Sequence, residues 1–241
     1  IADRDRYSYQ GLYSDDRLLR PAVKRAGEWQ ECDWETALAA AAEALAGVVK
    51  AHGPEQLGAL SAPTATTEEH YLVQRLMRAL GSGNVDHRVR QSDFADGDHD
   101  PLYPGLGMTL PELEGVGAAL VVGGDVRRAQ PLVNLRLRKA ALAGGQVFFV
   151  NPARYDFNYP VAGQLTAPPG RLVDELAAIA AALEAEAPGG VLGGLLQAAE
   201  PGEEHRRVAA ALKGAERALV LTGDQGRAHP EFTTLRALTG Y

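Results

Sequence analysis

Ala118-Ala119-Leu120-Val121-Val122-Gly123-Gly124-Asp125 is the stretch that decides the fold. Five apolar residues run without alternation into a glycine pair and an acid. A strand that faces solvent on one side alternates apolar with polar residues. A strand covered on both faces does not, and that is the habit of buried parallel strands. The turn is followed by a helical pattern reaching about Ala143, and then by a second apolar strand, Gln146–Val150. Strands alternating with helices of this length predict an α/β protein with doubly wound, mostly parallel sheets. Right-handed crossovers would place helices on both faces.

Toward the C-terminus, a helix is expected over Leu172–Glu186 and another over Glu203–Lys213. A strand follows at Ala218–Thr222, and a last helix from about Pro230; Pro188-Gly189-Gly190 and Pro201-Gly202 bracket a less regular section. The run Ala119–Pro131 aligns without gaps to Ala218–Pro230, pairing Gly124 with Gly223, Asp125 with Asp224, Arg128 with Arg227 and Pro131 with Pro230. Either two related α/β lobes or a chance likeness between ordinary βα turns accounts for this. The expected organisation is an irregular lead-in over 1–31, a first lobe over 32–165 and a second, truncated lobe over 166–241. Toward the N-terminus, a short strand or hairpin is expected near Ala22–Trp29. Asp33 is placed to cap a helix reaching about Ala51, which Gly53-Pro54 ends. A strand over Gln56–Leu60 and a helix over Thr66–Leu80 complete that half.

Composition narrows the function. With 46% hydrophobic and 23% charged residues, the balance is that of an ordinary globular chain. A net charge of -7 argues against nucleic-acid binding through phosphate neutralisation. The basic run Arg127, Arg128, Arg136, Arg138 and Lys139 reads as a solvated helix face. Cys32 is the sole cysteine, so the chain can form neither an internal disulfide nor a four-cysteine iron–sulfur site. No apolar run approaches the ~20 residues needed to span a bilayer. The start, Ile1-Ala2-Asp3-Arg4, is charged and lacks Met, which reads as a piece of a longer polypeptide.

Three constellations could carry chemistry. A Gly-rich turn between a strand and a helix offers backbone N–H groups and a positive dipole end to a phosphate. Gly123, Gly124 and Asp125, with Gly223 and Asp224, are candidates for such a site. Neither turn is a complete dinucleotide fingerprint, so a bare structural turn is the other reading. Asn151, at the end of the next strand, either bonds a ligand's ribose or base or caps its own turn. Asp86, His87, Arg88, Arg90, Gln91 and Asp93 crowd polar groups into one short segment. Their spacing matches no standard metal set, which favours an interface or internal hydrogen-bond network. His99, between two aspartates, reads as a loop residue. Cys32 lacks a basic activating neighbour.

Taken together, these segments resemble the molybdopterin oxidoreductase superfamily. The likeness rests on Arg17-Leu18-Leu19-Arg20-Pro21, Trp29, Asp33–Leu38, the strand-Gly-Gly-Asp turn, Asn151-Pro152 and Pro168-Pro169-Gly170. It implies domains like the second and third of formate dehydrogenase and dimethyl sulfoxide reductase, whose turns hold the guanine-dinucleotide ends of pterin cofactors. A finer likeness, carried by Asp3–Leu12, Asn84–Phe94 and Gln130–Ala140, is to the large iron–sulfur subunits of bacterial NADH:quinone oxidoreductases. It implies a cofactor-free scaffold in the cytoplasmic peripheral arm of an inner-membrane respiratory complex. The other subunits of that complex would be its partners, without membrane insertion of its own. Iron–sulfur clusters would lie upstream of Ile1, molybdopterin and metal ligands would be absent, and the Gly123, Gly124, Asp125, Asn151, Gly223 and Asp224 set would be vestigial. Two departures from active members support this. Their Cys, selenocysteine or Ser metal ligand follows the Asn-Val-Asp segment, where this chain has Arg90 or Gln91, with Ser92 available if the register slips. Asn151-Pro152 also continues as Ala153-Arg154-Tyr155-Asp156 rather than in the usual Pro-Arg-x-Thr manner. The alternatives are the pterin-dinucleotide-binding part of an active molybdenum or tungsten oxidoreductase, and a simple nucleotide-binding module.

Overall fold

The computed structural model describes residues 3–87, 93–99, 105–183 and 188–241. The chain divides into two compact units, residues 3–90 and 91–241. The N-terminal unit opens with a short helix α1 (Asp3–Tyr7). A hairpin of β1 (Ala22–Arg25) and β2 (Glu28–Glu31) follows, turning through Ala26-Gly27 with both residues at positive φ. Helix α2 (Trp34–His52) starts where Asp33 accepts the Thr36 N–H at 2.8 Å, the expected N-cap. Strand β3 (Ala59–Leu60) is shorter than the expected Gln56–Leu60, because Pro54–Gln56 is drawn into a 3₁₀ turn. Helix α3 (Thr67–Ala79) is fixed by a capping box between Thr66 and Glu69, and β4 (Val85–Asp86) pairs parallel to β3. Among the described residues of this unit, only Leu57, Met77 and Ser82 are buried.

The C-terminal unit holds the expected α/β sheet. Its elements are β5 (Ala118–Val122), α4 (Val126–Ala129), α5 (Pro131–Leu142), β6 (Gln146–Asn151), β7 (Gly163–Thr166), α6 (Leu172–Ala181), α7 (Gly190–Ala198), α8 (Glu203–Gly214), β8 (Ala218–Thr222), α9 (Asp224–Arg227) and α10 (Phe232–Gly240). Pro131 begins a new helix after a break at Gln130, so the single expected helix is two. Strand β7 and helix α7 escape a sequence reading: β7 is four residues long and half polar, and α7 carries Gly190, Gly193 and Gly194.

The strands are parallel, in the order β7-β6-β5-β8. Every residue of β5 is buried, which explains the run without alternation. Leu120, Val122, Phe148 and Val150 pack under α6, α8 and α10 on one face. Ala119, Val121, Val147 and Phe149 face α5 and the 3₁₀ turn at Pro111–Gly115 on the other. Phe149 also stacks on Phe157, ring centroids 4.1 Å apart.

The division expected after residue 165 is not where the chain separates. Strand β8 pairs directly with β5, from Ala118↔Ala218 to Val122↔Thr222, so the two repeat copies are neighbours in one sheet. The backbone of β8 completes β5's hydrogen bonding on that side. The chain runs outward from β5 through β6 to β7, then returns to β5's other side as β8. The crevice at the carboxyl ends of β5 and β8 is therefore the topological switch point, where open α/β sheets hold ligands.

Phe148→Ala should cost about 3–5 kcal/mol of stability, because Phe148 is fully buried. Leu72→Ala, at a position 58% exposed, should stay within about 0.5 kcal/mol. Denaturant titration of both variants measures the difference.

Candidate functional site

The two Gly-Asp turns sit side by side at the switch point and touch backbone to backbone. Gly123 has φ +63°, and a Cβ there would strike the Gly226 backbone. A Cβ on Gly124 would come within 2.9 Å of Gly223 Cα, and one on Gly223 would strike the Gly124 backbone in turn. Glycine is required here because the partner turn fills the space a side chain would need.

The turn amides are largely spoken for. The Gly123 N–H donates to Val150 O at 2.8 Å and the Gly223 N–H to Val122 O at 2.8 Å. Gln225 and Gly226 N–H both donate to Gly123 O, at 2.9 and 3.0 Å. The Gly124 N–H donates to Asn151 Oδ1 at 2.7 Å, while Asn151 Nδ2 donates to Gly124 O at 3.2 Å. Asn151 is 1% exposed, so its amide clamps the neighbouring turn. The turns are an interlock, and what they present to a ligand is side chains.

Asp125 is the most unusual of these. Its Oδ1 is buried and has no hydrogen-bond partner among the described residues, and its Oδ2 lies 3.6 Å from Arg128 Nε. An acceptor left unpaired in a buried place is costly. Nearby, Tyr159 OH donates to Asn134 Oδ1 at 3.1 Å, and both residues are buried. Burial first, and then the charge of Asp125, holds the Tyr159 hydroxyl well above its usual pKa, so it stays a donor.

Beside the interlock lies a crevice of about 500 Å³. Gln130, Thr222, Asp224, Arg227, Phe232 and Arg236 contribute to its wall. The Arg227 and Arg236 guanidiniums stand 5.8 and 6.0 Å from the Phe232 ring centroid. Of these residues the sequence singled out Asp224 alone as a ligand-side candidate. The signal that could have found the rest was the repeat itself, which marked Arg227 and placed Phe232 just past Pro230.

Of the polar segment around residue 90, the structure describes Asp86, His87 and Asp93. Asp86 and His87 belong to the N-terminal unit, where Asp86 Oδ1 accepts the His87 N–H at 2.7 Å. The His87 ring meets His70 edge to face at 6.0 Å, beside a groove of about 570 Å³ that includes Ser61 and Arg78. Arg88, Arg90, Gln91 and Ser92 lie outside the described residues. Asp93 belongs to the C-terminal unit, where it accepts the Ala95 and Thr233 N–H groups at 3.0 and 2.8 Å. The basic run is not wholly solvated: Arg136 and Lys139 both pair with Glu114, and Arg127 donates to Asp156 O.

The C-terminal unit is a three-layer α/β fold with two interlocked Gly-Asp turns at its switch point. The matching family model is that of molybdopterin oxidoreductase, over residues 17–229, and the chain belongs to that family. A provisionally named formate dehydrogenase of Staphylococcus aureus strain USA300 is 30% identical over 151 residues, 61% of this chain and 15% of that protein. The corresponding protein of strain Mu50 matches over the same share, so the chain spans about 15% of the length of these relatives. Among solved structures, acetylene hydratase from Pelobacter acetylenicus superposes with a TM-score of 0.56 at 14% identity, covering 93% of this chain and 35% of its own. The formyltransferase/hydrolase complex from Methylorubrum extorquens gives 0.50 at 19% identity, covering 89% and 64%. Both likenesses concern the fold. No helix among the described residues is long and apolar enough to cross a membrane, and no group of His, Cys, Asp or Glu among them could hold a metal ion.

Two outcomes follow from these hydrogen bonds. Asn151→Ala strands the buried Gly124 N–H and should cost at least about 1–3 kcal/mol in thermal unfolding. Asp93 is held below the usual carboxylate range by the Ala95 and Thr233 amides. A depressed carboxylate stabilises above its unfolded pKa and loses that effect as pH falls through the folded value. The Thr233 amide should therefore stay protected from hydrogen exchange through neutral and mildly acidic pH. Protection should disappear only below the ordinary Asp range of about 3.9.

Proposed function

We propose that the C-terminal unit holds a nucleotide end of a pterin dinucleotide in an oxidoreductase of the formate-dehydrogenase-like kind. The observation that carries the reading is Asp125 Oδ1, just past the carboxyl end of β5, buried and without a hydrogen-bond partner among the described residues. A carboxylate oxygen only accepts hydrogen bonds, and a guanine edge offers adjacent ring and amino N–H donors. Arg227 and Arg236 are suited to a diphosphate, and Gln130 and Thr222 to ribose hydroxyls. The crevice wall thus carries groups matched to a guanine nucleotide's phosphates and ribose, and Asp125, which does not line the crevice, is an acceptor matched to its base edge. When bound, the cofactor's molybdenum or tungsten centre supplies two-electron oxidation–reduction. This chain's residues anchor the end remote from that centre, and the formate-dehydrogenase-like relatives favour this reading.

A second reading is the cofactor-free scaffold of an NADH:quinone oxidoreductase peripheral arm, docked against its other subunits. The interlock favours it, since the turn amides of Gly123, Gly124, Gly223, Gln225 and Gly226 are all engaged within the protein.

The natural polypeptide carrying this chain, purified from its own host, separates the two. The first reading expects molybdenum or tungsten, with guanine nucleotide released by acid, each near one or two equivalents per chain; Asp125→Ala should lower the nucleotide at least several-fold. Metal- and nucleotide-free protein, co-purifying with NADH-oxidising and quinone-reducing subunits, would overturn it in favour of the scaffold.

A further inference from the structure

Arg236 lies in the wall of the switch-point crevice and is also the anchor of a separate segment. Its Nε donates to Asp96 Oδ2 at 2.7 Å and its Nη2 to Asp96 O at 3.0 Å; Nη2 also contacts Oδ2. The pair is partly buried, with the two side chains 25% and 20% exposed. Thr233 Oγ1 donates to Asp96 Oδ1 at 3.1 Å, so the carboxylate is held at both oxygens by the first turns of α10. Asp93, three residues earlier, accepts the Thr233 N–H at 2.8 Å. Residues 93–97 are thus strapped along α10 at two points, one through a backbone amide and one through the crevice arginine.

The charges around Phe232 nearly cancel in this state. Arg227 and Arg236 flank the ring, and Asp224 and Asp96 oppose them. A diphosphate entering the crevice meets one guanidinium already engaged. Guanidinium binds phosphate and carboxylate with the same forked donors, and phosphate carries the greater charge. The two anions compete for one cation.

We infer that Asp96 is an internal competitor for Arg236, so that a diphosphate-bearing ligand in the crevice takes Arg236 and releases residues 95–97 from α10, while Asp93 keeps the strap's other end in place. This rests on the nucleotide reading above and adds a coupling to it. Linkage makes the effect reciprocal: whatever factor separates strapped from released affinity for the ligand also separates bound from free tendency to release.

The test is titration of GDP and of inorganic pyrophosphate into the natural polypeptide, isolated without bound dinucleotide, with binding heat as the readout. Asp96→Asn removes the competing charge while keeping an acceptor for Arg236. It should bind both probes roughly two- to tenfold tighter, and Arg236→Gln should bind them several-fold weaker. Wild-type binding with Asp96→Asn unchanged or weaker, at an unaltered melting temperature, overturns the competition while leaving the nucleotide reading intact. No binding by either protein overturns both, whereas binding gained only in Asp96→Asn supports both. Should Asp96→Asn fail to fold, hydrogen exchange on the wild type decides. GDP should speed exchange of the Gly97 amide, which donates to Phe94 O at 3.0 Å in the strapped state. Slower or unchanged exchange with GDP bound overturns the inference.

Discussion

Backbone meeting backbone at the carboxyl ends of β5 and β8 is the constraint on which the C-terminal unit depends. Gly123 and Gly124 lie against Gly223 and Gly226 with no room for a Cβ between them. Two strands separated by about a hundred residues can be sheet neighbours with their following turns in register only if both turns are stripped of side chains. Once that approach is made, the Gly123 carbonyl accepts two amides from the opposite turn, and Asn151 closes the remaining Gly124 groups. The glycine pattern that reads in sequence as a phosphate cradle is used here to join two βα units into one sheet.

This explains which parts of the molecule were legible in the sequence. Strands β5, β6 and β8 were plain because parallel strands covered on both faces leave unbroken apolar runs, and α2 because Asp33 announces its cap. The internal repeat was seen, but its meaning was not. Alignment of Ala119–Pro131 with Ala218–Pro230 carries no information about whether the copies form two lobes or stand side by side. That is decided by strand order, a long-range property. Strand β7 was hidden because Gly163-Gln164-Leu165-Thr166 has too few apolar residues to signal burial, although pairing to β6 requires none. The chemical site was half legible. Asp125 and Asn151 were singled out, yet their roles diverge: Asn151 is a buried clamp and Asp125 a buried acceptor left open. Phe232, Arg236 and Asp96 come together only through the packing of α10, with more than a hundred residues between Asp96 and Arg236.

The same geometry bears on function in two directions. Engaged turn amides remove the backbone contribution that phosphate sites at helix N-termini usually rely on. A scaffold that has lost its ligand has no need to keep those amides open. Yet an inert scaffold has no evident use for a buried carboxylate oxygen that finds no partner among the described residues. Buried polar atoms without partners are rare in folded proteins, and they collect where something else supplies the partner. That asymmetry, together with the formate-dehydrogenase-like relatives, weighs the reading toward a retained nucleotide end.

Electron cryo-microscopy of the natural protein, taken directly from its host without added ligand, bears most directly on the central claim. A planar ring edge within hydrogen-bond distance of Asp125 Oδ1, with phosphate density reaching the guanidiniums beside Phe232, is the expected result. Asp125 satisfied instead by a protein side chain from an adjoining subunit, with an empty crevice and Asp96 still paired to Arg236, would contradict it.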